Sequence, residues 1–182
     1  MSRIEIPQRP AWWIRLLFFL ARKRYGKVMR PLQMAAHVPS FLFPFMMTNQ
    51  FAHVRGTLPA STRLLAMQLV GEINRCDWCI DFGRSLATRE VRQKIFHVRE
   101  FDTYEAFTDA ERAALRYAAE ATGSPVEVAD ETFATLRRHF TDRQIVELTF
   151  AVAIENFFNR VNAPLGIEAE GFCAVAPLDR AA

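Results

Sequence analysis

Apolar residues recur along most of this chain at the three- and four-residue spacing of a helix face, and strict apolar–polar alternation is scarce. The pattern predicts helices joined by short connectors. From Thr62 to Asn74, Leu65, Ala66, Leu69, Val70 and Ile73 gather on one face, with Arg63 and Asn74 opposite and Gln68 and Glu72 at the edge. That is an amphipathic helix which Ser61 is placed to cap. Thr108-Asp109-Ala110-Glu111 reads as a capping box opening a helix to about Gly123, because the Thr hydroxyl and the Glu carboxylate each satisfy an orphaned amide donor. Asp130 precedes a helix through His139, and Thr141-Asp142-Arg143-Gln144 is a second box whose helix runs to about Asn162, ended by Pro164 and Gly166. Pro31, Pro39, Pro44 and Pro59 punctuate the first third, where Met34 to Val38 suggests a short helix stopped by Pro39. The sum is an all-α bundle of seven or eight helices, with an N-terminal arm or helix over 1–30, a helical domain over 31–170 and a tail over 171–182.

Composition narrows the picture. With 51% hydrophobic residues in 182, the chain has material for one continuous core. A net charge of +3, spread along the sequence, does not point to nucleic acid. The apolar stretch from Ala11 to Ala21 is interrupted by Arg15 and closed by Arg22-Lys23-Arg24. It is too short to span a bilayer and has no small-residue cleavage site after it. An arm packing on the core or on another subunit is favoured over a helix lying on a membrane surface, since sixteen phenylalanines show the whole chain building with aromatics. Three cysteines, Cys76, Cys79 and Cys173, do not form a secreted disulfide framework, which suits a reducing, cytoplasmic setting.

The chemistry is concentrated in Gly71-Glu72-Ile73-Asn74-Arg75-Cys76-Asp77-Trp78-Cys79-Ile80-Asp81-Phe82. If Asn74-Arg75 breaks the helix, both thiols fall in the first turn of the next one, where free amide donors and the positive dipole end stabilise a thiolate. Half of a zinc site is the competing reading, but no second CxxC or close His pair completes it, and His37, His53, His97 and His139 are scattered. Two small residues filling a helix contact is the other. The polar neighbours Arg75, Asp77 and Asp81 favour an accessible turn and redox use.

An amphipathic helix, an Asn-containing turn and then Cys76-x-x-Cys79 resemble the alkylhydroperoxidase-D/carboxymuconolactone-decarboxylase-like family. The run from Phe107 to Leu115 and the ending Phe157-Phe158-Asn159-Arg160-Val161-Asn162 are similar to the same group, so the resemblance covers roughly residues 30 to 170. It implies a homo-oligomeric helical protein in which Cys79 attacks a peroxide or disulfide, Cys76 resolves the product, and an acid and an imidazole relay the proton. No metal or organic cofactor is required, and the thiol reductant is unspecified. The chain departs from the family pattern at two positions. Gly83 stands where a histidine is expected four residues after the second cysteine, and Leu64 where a glutamate is expected twelve before the first.

Substitutes for the relay follow from spacing. Were the chain near-helical through the turn, Glu72, Cys76 and Cys79 would share a face and Glu72 would serve as base or proton shuttle. Asp81 is a weaker candidate. Glu147, Glu155, Asn159 and Asn162 recur at helical spacing in the late apolar helix, and a buried Glu155 would need a partner and tend to keep its proton. Glu155 facing the cysteines is one expectation; that Glu155 and the asparagines tie helix ends together or line a subunit contact is the stronger. The leading function is a thiol-disulfide oxidoreductase or peroxidase. The alternatives are a non-redox lyase of the decarboxylase kind, and a binding or structural oligomer lacking the relay histidine.

Overall fold

The computed structural model describes residues 2–52 and 56–175; His53 and the tail positions 176–182 lie outside the described residues. Nine α-helices follow one another in the described part: α1 Trp12–Tyr25, α2 Arg30–Ala35, α3 Pro39–Ala52, α4 Ala60–Ile73, α5 Asp77–Ser85, α6 Asp109–Glu120, α7 Asp130–His139, α8 Asp142–Asn162 and α9 Phe172–Val175. Two single-turn 3₁₀ helices, Lys94–Phe96 and Val98–Glu100, lie between α5 and α6. The short helix expected over Met34 to Val38 falls earlier, as α2 with Pro31 in its first turn, and the excess over seven or eight comes from pieces the pattern did not single out, such as the four-residue α9.

Both capping boxes form. The Thr108 hydroxyl accepts from the Glu111 amide while the Glu111 carboxylate accepts from the Thr108 amide, and Thr141 and Gln144 repeat the exchange. Ser61 is not a cap. Pro59 takes that position and α4 starts at Ala60, because proline's fixed φ suits the entry to a helix whose first amides need no partner within it. The carboxylate of Glu147 on α8 accepts the amides of Thr57 and Leu58 at 3.1 and 2.7 Å, which anchors this entry.

Helix α4 runs through the middle of the bundle. Ala66 and Val70 meet Ala114 and Ala118 of α6 and Leu148 and Val152 of α8, where alanines let the backbones approach closely. On its other side Leu65 and Leu69 pack with Val91, Ile95, Val98 and Leu115. Burial therefore extends round most of α4, and Gln68, expected at the edge of an apolar face, is 2% exposed.

The N-terminal helix docks on this chain's own core through Ile14, which packs with Val28, Leu32 and Leu42, while Trp12, Leu16 and Phe19 stay exposed. It stops at Gly26, whose φ of 79° allows its amide to return to the Arg22 carbonyl. Among the described residues no helix is long and apolar enough to cross a membrane.

Candidate functional site

The site begins where α4 gives way to α5. Ile73 is the last residue of α4 and Asn74 its C-cap, Arg75 turns the chain with a φ of 54°, and Cys76 in extended conformation caps α5. Left-handed backbone at Arg75 is the helix break expected at Asn74-Arg75, and it places Cys76 at the N-cap and Cys79 in the first turn. The two are joined by a disulfide with Cα atoms 5.3 Å apart. The Cys79 amide points at the Cys76 sulfur, 3.4 Å away. Among the described residues no group of three or more His, Cys, Asp or Glu side chains is arranged to hold a metal ion.

Helix α8 supplies the other wall. Asn74 Nδ2 donates to Oδ1 of both Asn156 and Asn159, at 2.8 and 2.9 Å, so the junction is tied to α8. Asn159 Nδ2 in turn donates to Glu155 Oε1 at 2.7 Å, and Asn162 Nδ2 to Cys79 Sγ at 3.5 Å. Gly71 lies between α5 and α8: the point where its Cβ would be is 3.6 Å from Cys79 Cβ and 3.7 Å from Glu155 Oε1. Glu155 thus ties the helix junction through Asn159 and, like Cys79, lies against Gly71. Burial pushes its carboxyl up to about 7, against the smaller opposing effect of the Asn159 hydrogen bond.

A cavity of about 420 Å³ opens on Cys79, walled by Leu17 and Leu20 of α1, Phe45 and Met46 of α3, Leu64 and Met67 of α4, Trp78 and Phe82 of α5, and Phe158 of α8. Its polar lining comes from Arg24, Gln68, Glu155 and Asn162. Cys76 is not among the residues that line it, and is 1% exposed. Leu64 and Gly83, the two departures from the family pattern, both line the cavity.

Glu72 does not join the cysteines on one face, because the left-handed turn at Arg75 breaks the helical register on which that spacing depended. Its carboxylate instead accepts from Arg84 at 2.7 Å and from Gln68 Nε2 at 3.2 Å, and it does not line the cavity. Asp81 has a fastening role. Its carboxylate accepts the backbone amides of Glu170, Phe172 and Cys173 at 2.9, 3.0 and 2.9 Å, while Glu170 accepts from Trp78 Nε1 at 2.6 Å. Burial raises the Asp81 pKa, but the amides of Cys173, Phe172, Glu170 and Gly171 outweigh it and hold the carboxyl below its ordinary value of 3.8. A depressed carboxyl contributes stability above its unfolded pKa and loses it as pH falls through the folded one. Asp81→Ala is therefore expected to cost about 2 kcal/mol near neutrality, an effect that fades in acid below about pH 4. Melting curves and amide exchange over 170–173 measure it; unchanged protection there would remove the fastening role.

Helical spacing did not mark Gln68 as a site residue, and Asn162 stood out only as one of the polar groups of α8. Each is buried with one carbonyl oxygen lacking a hydrogen-bond partner, Gln68 Oε1 and Asn162 Oδ1. Their spacing on α4 and α8 carried no sign of this, because the cavity is made by helices far apart in sequence.

No family model matches the chain. It is 27% identical over 178 residues to the uncharacterized protein YnjA of Escherichia coli, covering 96% of this chain and 94% of that one. Among solved structures, a variant of the debrominase Bmp8 in complex with 2,3,4-tribromopyrrole superposes with a TM-score of 0.82 at 21% identity, over 97% of both chains. An uncharacterized peroxidase-related protein from Ralstonia eutropha, described as an alkylhydroperoxidase AhpD core, superposes with a TM-score of 0.81 at 20% identity over 96% of both. The chain has the all-α fold of the alkylhydroperoxidase-D-like proteins, the fold that its cysteine turn and late helix implied.

Proposed function

We propose that this protein is a thiol-disulfide oxidoreductase or peroxidase, in which Cys79 attacks a substrate held in the cavity, Cys76 resolves the product, and Glu155 carries the proton. The observation that carries the reading is that, of two bonded cysteines, Cys79 lines an apolar cavity and Cys76 does not. Helix-start amides favour an anionic sulfur at both positions, and the N-cap favours Cys76 the more. Access reverses the order, since a nucleophile has to reach the substrate.

With a peroxide, the Cys79 thiolate takes the terminal oxygen as the O–O bond breaks, and protonated Glu155 gives its proton to the departing oxygen. Cys76 then attacks the sulfenic sulfur and expels water, forming the disulfide. Two electrons leave the dithiol and an external thiol reductant restores them. Asn162 Nδ2, donating to Cys79 Sγ, stabilises the negative sulfur. In this scheme Glu72, the expected base, orients Gln68 instead of moving protons.

A second reading is favoured by the apolar walls together with the fold shared with a debrominase. Here the same dithiol reduces a halogenated ring: carbon–halogen becomes carbon–hydrogen, halide leaves, and the cysteines close to the disulfide. Halide release assayed beside peroxide consumption separates the two.

Mild oxidation of the reduced protein is expected to link Cys76 to Cys79 within one chain, leave Cys173 free, and reverse with dithiol. Alkylation is expected to be faster in Cys76→Ser, which keeps Cys79, than in Cys79→Ser. Peptide mapping that places Cys173 in the oxidised pair, or the opposite order of labelling, would sink this assignment.

A further inference from the structure

Three asparagines are linked in a row between α8 and the α4–α5 junction, and one backbone carbonyl fixes which way each amide faces. Asn156 Nδ2 donates to the Val152 carbonyl at 3.0 Å and to Thr122 Oγ1 at 3.2 Å. A peptide carbonyl only accepts, and the Thr122 hydroxyl gives its own hydrogen to the Ala118 carbonyl, so the amide nitrogen has to face both. Asn156 therefore turns Oδ1 to Asn74, and Asn74 has to answer with Nδ2. The same Nδ2 holds Asn159 Oδ1, which leaves Asn159 with its Nδ2 toward Glu155 Oε1, 2.7 Å away. Reversing any one of these amides would set two donors or two acceptors face to face.

A neutral carboxyl has one carbonyl oxygen and one hydroxyl, and the oxygen that accepts from Asn159 is the carbonyl. The hydrogen then belongs on Oε2. That oxygen has no hydrogen-bond partner in the protein, yet it is not sealed off as Gln68 Oε1 is. Glu155 lines the cavity together with Cys79, so Oε2 is the part of the carboxyl left to the cavity. We propose that Asn159, its amide oriented by Asn74 and Asn156, is a positioning residue that confines the Glu155 proton to Oε2, where the departing oxygen of a substrate takes it up. The inference rests on the reading that Glu155 is the acid of this site. Asn74 is also the C-cap of α4, directly before the Arg75 turn, so one amide holds both the cysteine turn and the sense of the chain that orients the acid.

The test is infrared spectroscopy of the full-length protein beside the pH profile of turnover. At about pH 6 Glu155 keeps its proton while ordinary carboxyls are ionised, so the protonated-carboxyl band, assigned by its loss in Glu155→Gln, reads this group. Asn159→Leu, close in volume, removes the donor. The band is expected to move to higher frequency as the carbonyl oxygen loses its hydrogen bond, and turnover to fall about ten-fold. The pH at which turnover declines is expected to rise by about one pH unit, because the Asn159 donor favours the ionised form. The other ionisable groups lining the cavity are Arg24 and Tyr25 of α1 and, when reduced, Cys79 of α5; among the described residues α3, α4 and α6 contribute none, since Glu72 is turned to Arg84. Should Asn159→Leu fail to fold, Asn74→Ala carries the same test. It does not touch Glu155, but it frees Asn159 to present Oδ1, which draws the hydrogen to Oε1, so band and pH step move in the same directions. A band and a pH step that stay in place overturn the proposal, and so does a slower variant with both unmoved. A band that moves in a protein whose turnover ignores Glu155→Gln keeps the placement of the proton and loses the acid reading; turnover that needs Glu155, with a band that Asn159→Leu leaves in place, does the reverse.

Discussion

Glu155→Gln is expected to leave the protein more stable above neutral pH and at least about a hundred-fold slower with peroxide or disulfide, at the low end of what a positioned acid or base contributes. Both effects come from one carboxyl, 9% exposed, whose pKa burial raises from 4.5 to about 7. The stability effect has a definite sign. Below about pH 4.5 the carboxyl is protonated whether the chain is folded or not, and contributes nothing. Between about pH 4.5 and 7 the unfolded chain ionises while the folded one keeps its proton, so stability falls by roughly 1.4 kcal/mol per pH unit. Above about 7 both forms are ionised and the penalty levels off near about 3 kcal/mol. Glutamine keeps an oxygen for the Asn159 donor and bears no charge, so the variant escapes the penalty. Chemical denaturation at pH 4 and pH 8 should show the variant and parent alike at the first and separated at the second. Turnover should decline above about pH 7 in the parent, as the acid is lost, and show no such step in the variant. A variant as fast as the parent would exclude Glu155 as the relay, whatever its stability.

The parts of this site that the sequence made legible are those governed by local chemistry. Thr108 with Glu111 and Thr141 with Gln144 marked helix starts because a cap is a contact between residues three apart. The break before Cys76 was legible for the same reason: Asn74 and Arg75 interrupt the apolar period of α4, and Arg75 takes the positive φ there. The parts that were not legible depend on which helices meet. Gln68 stands at the edge of the apolar face of α4 if that helix is considered by itself. It is buried because α5 folds back over it and Gly83 leaves room for its carbonyl. Glu72 was paired with the cysteines by a spacing that holds only in an unbroken helix. Arg84, in the last turn of α5, claims it instead. The Glu155 carboxyl lines the same cavity as Cys79, and helical spacing along α8 alone does not distinguish that from a subunit contact.

Gly83→His, which restores the histidine of the family pattern, is expected to bring no gain by itself, and to gain up to roughly a hundred-fold in peroxide turnover when combined with Gln68→Ser. A residue four beyond Cys79 shares its helix face, and Gly83 and Cys79 line the same cavity, so an imidazole there is within reach of the thiol. Propensity alone makes the exchange favourable by a few tenths of a kcal/mol. The obstacle is the Gln68 carbonyl, which holds the space any Cβ at 83 would enter. To admit the ring, Gln68 has to swing away from Glu72, losing a hydrogen bond inside a packed wall. Overpacking of this kind costs about 1–3 kcal/mol, which outweighs the propensity gain. Shortening Gln68 to serine removes the obstruction and leaves a hydroxyl small enough to find a partner beside the ring. Melting temperature and initial rates on the two single variants and the double variant form a cycle that isolates the coupling between positions 68 and 83. The single histidine variant should melt below the parent and the double variant should recover. If Gly83→His alone gains the full rate and keeps its stability, Gln68 does not occupy the histidine's place, and the absence of that histidine has some other cause than the room Gln68 needs.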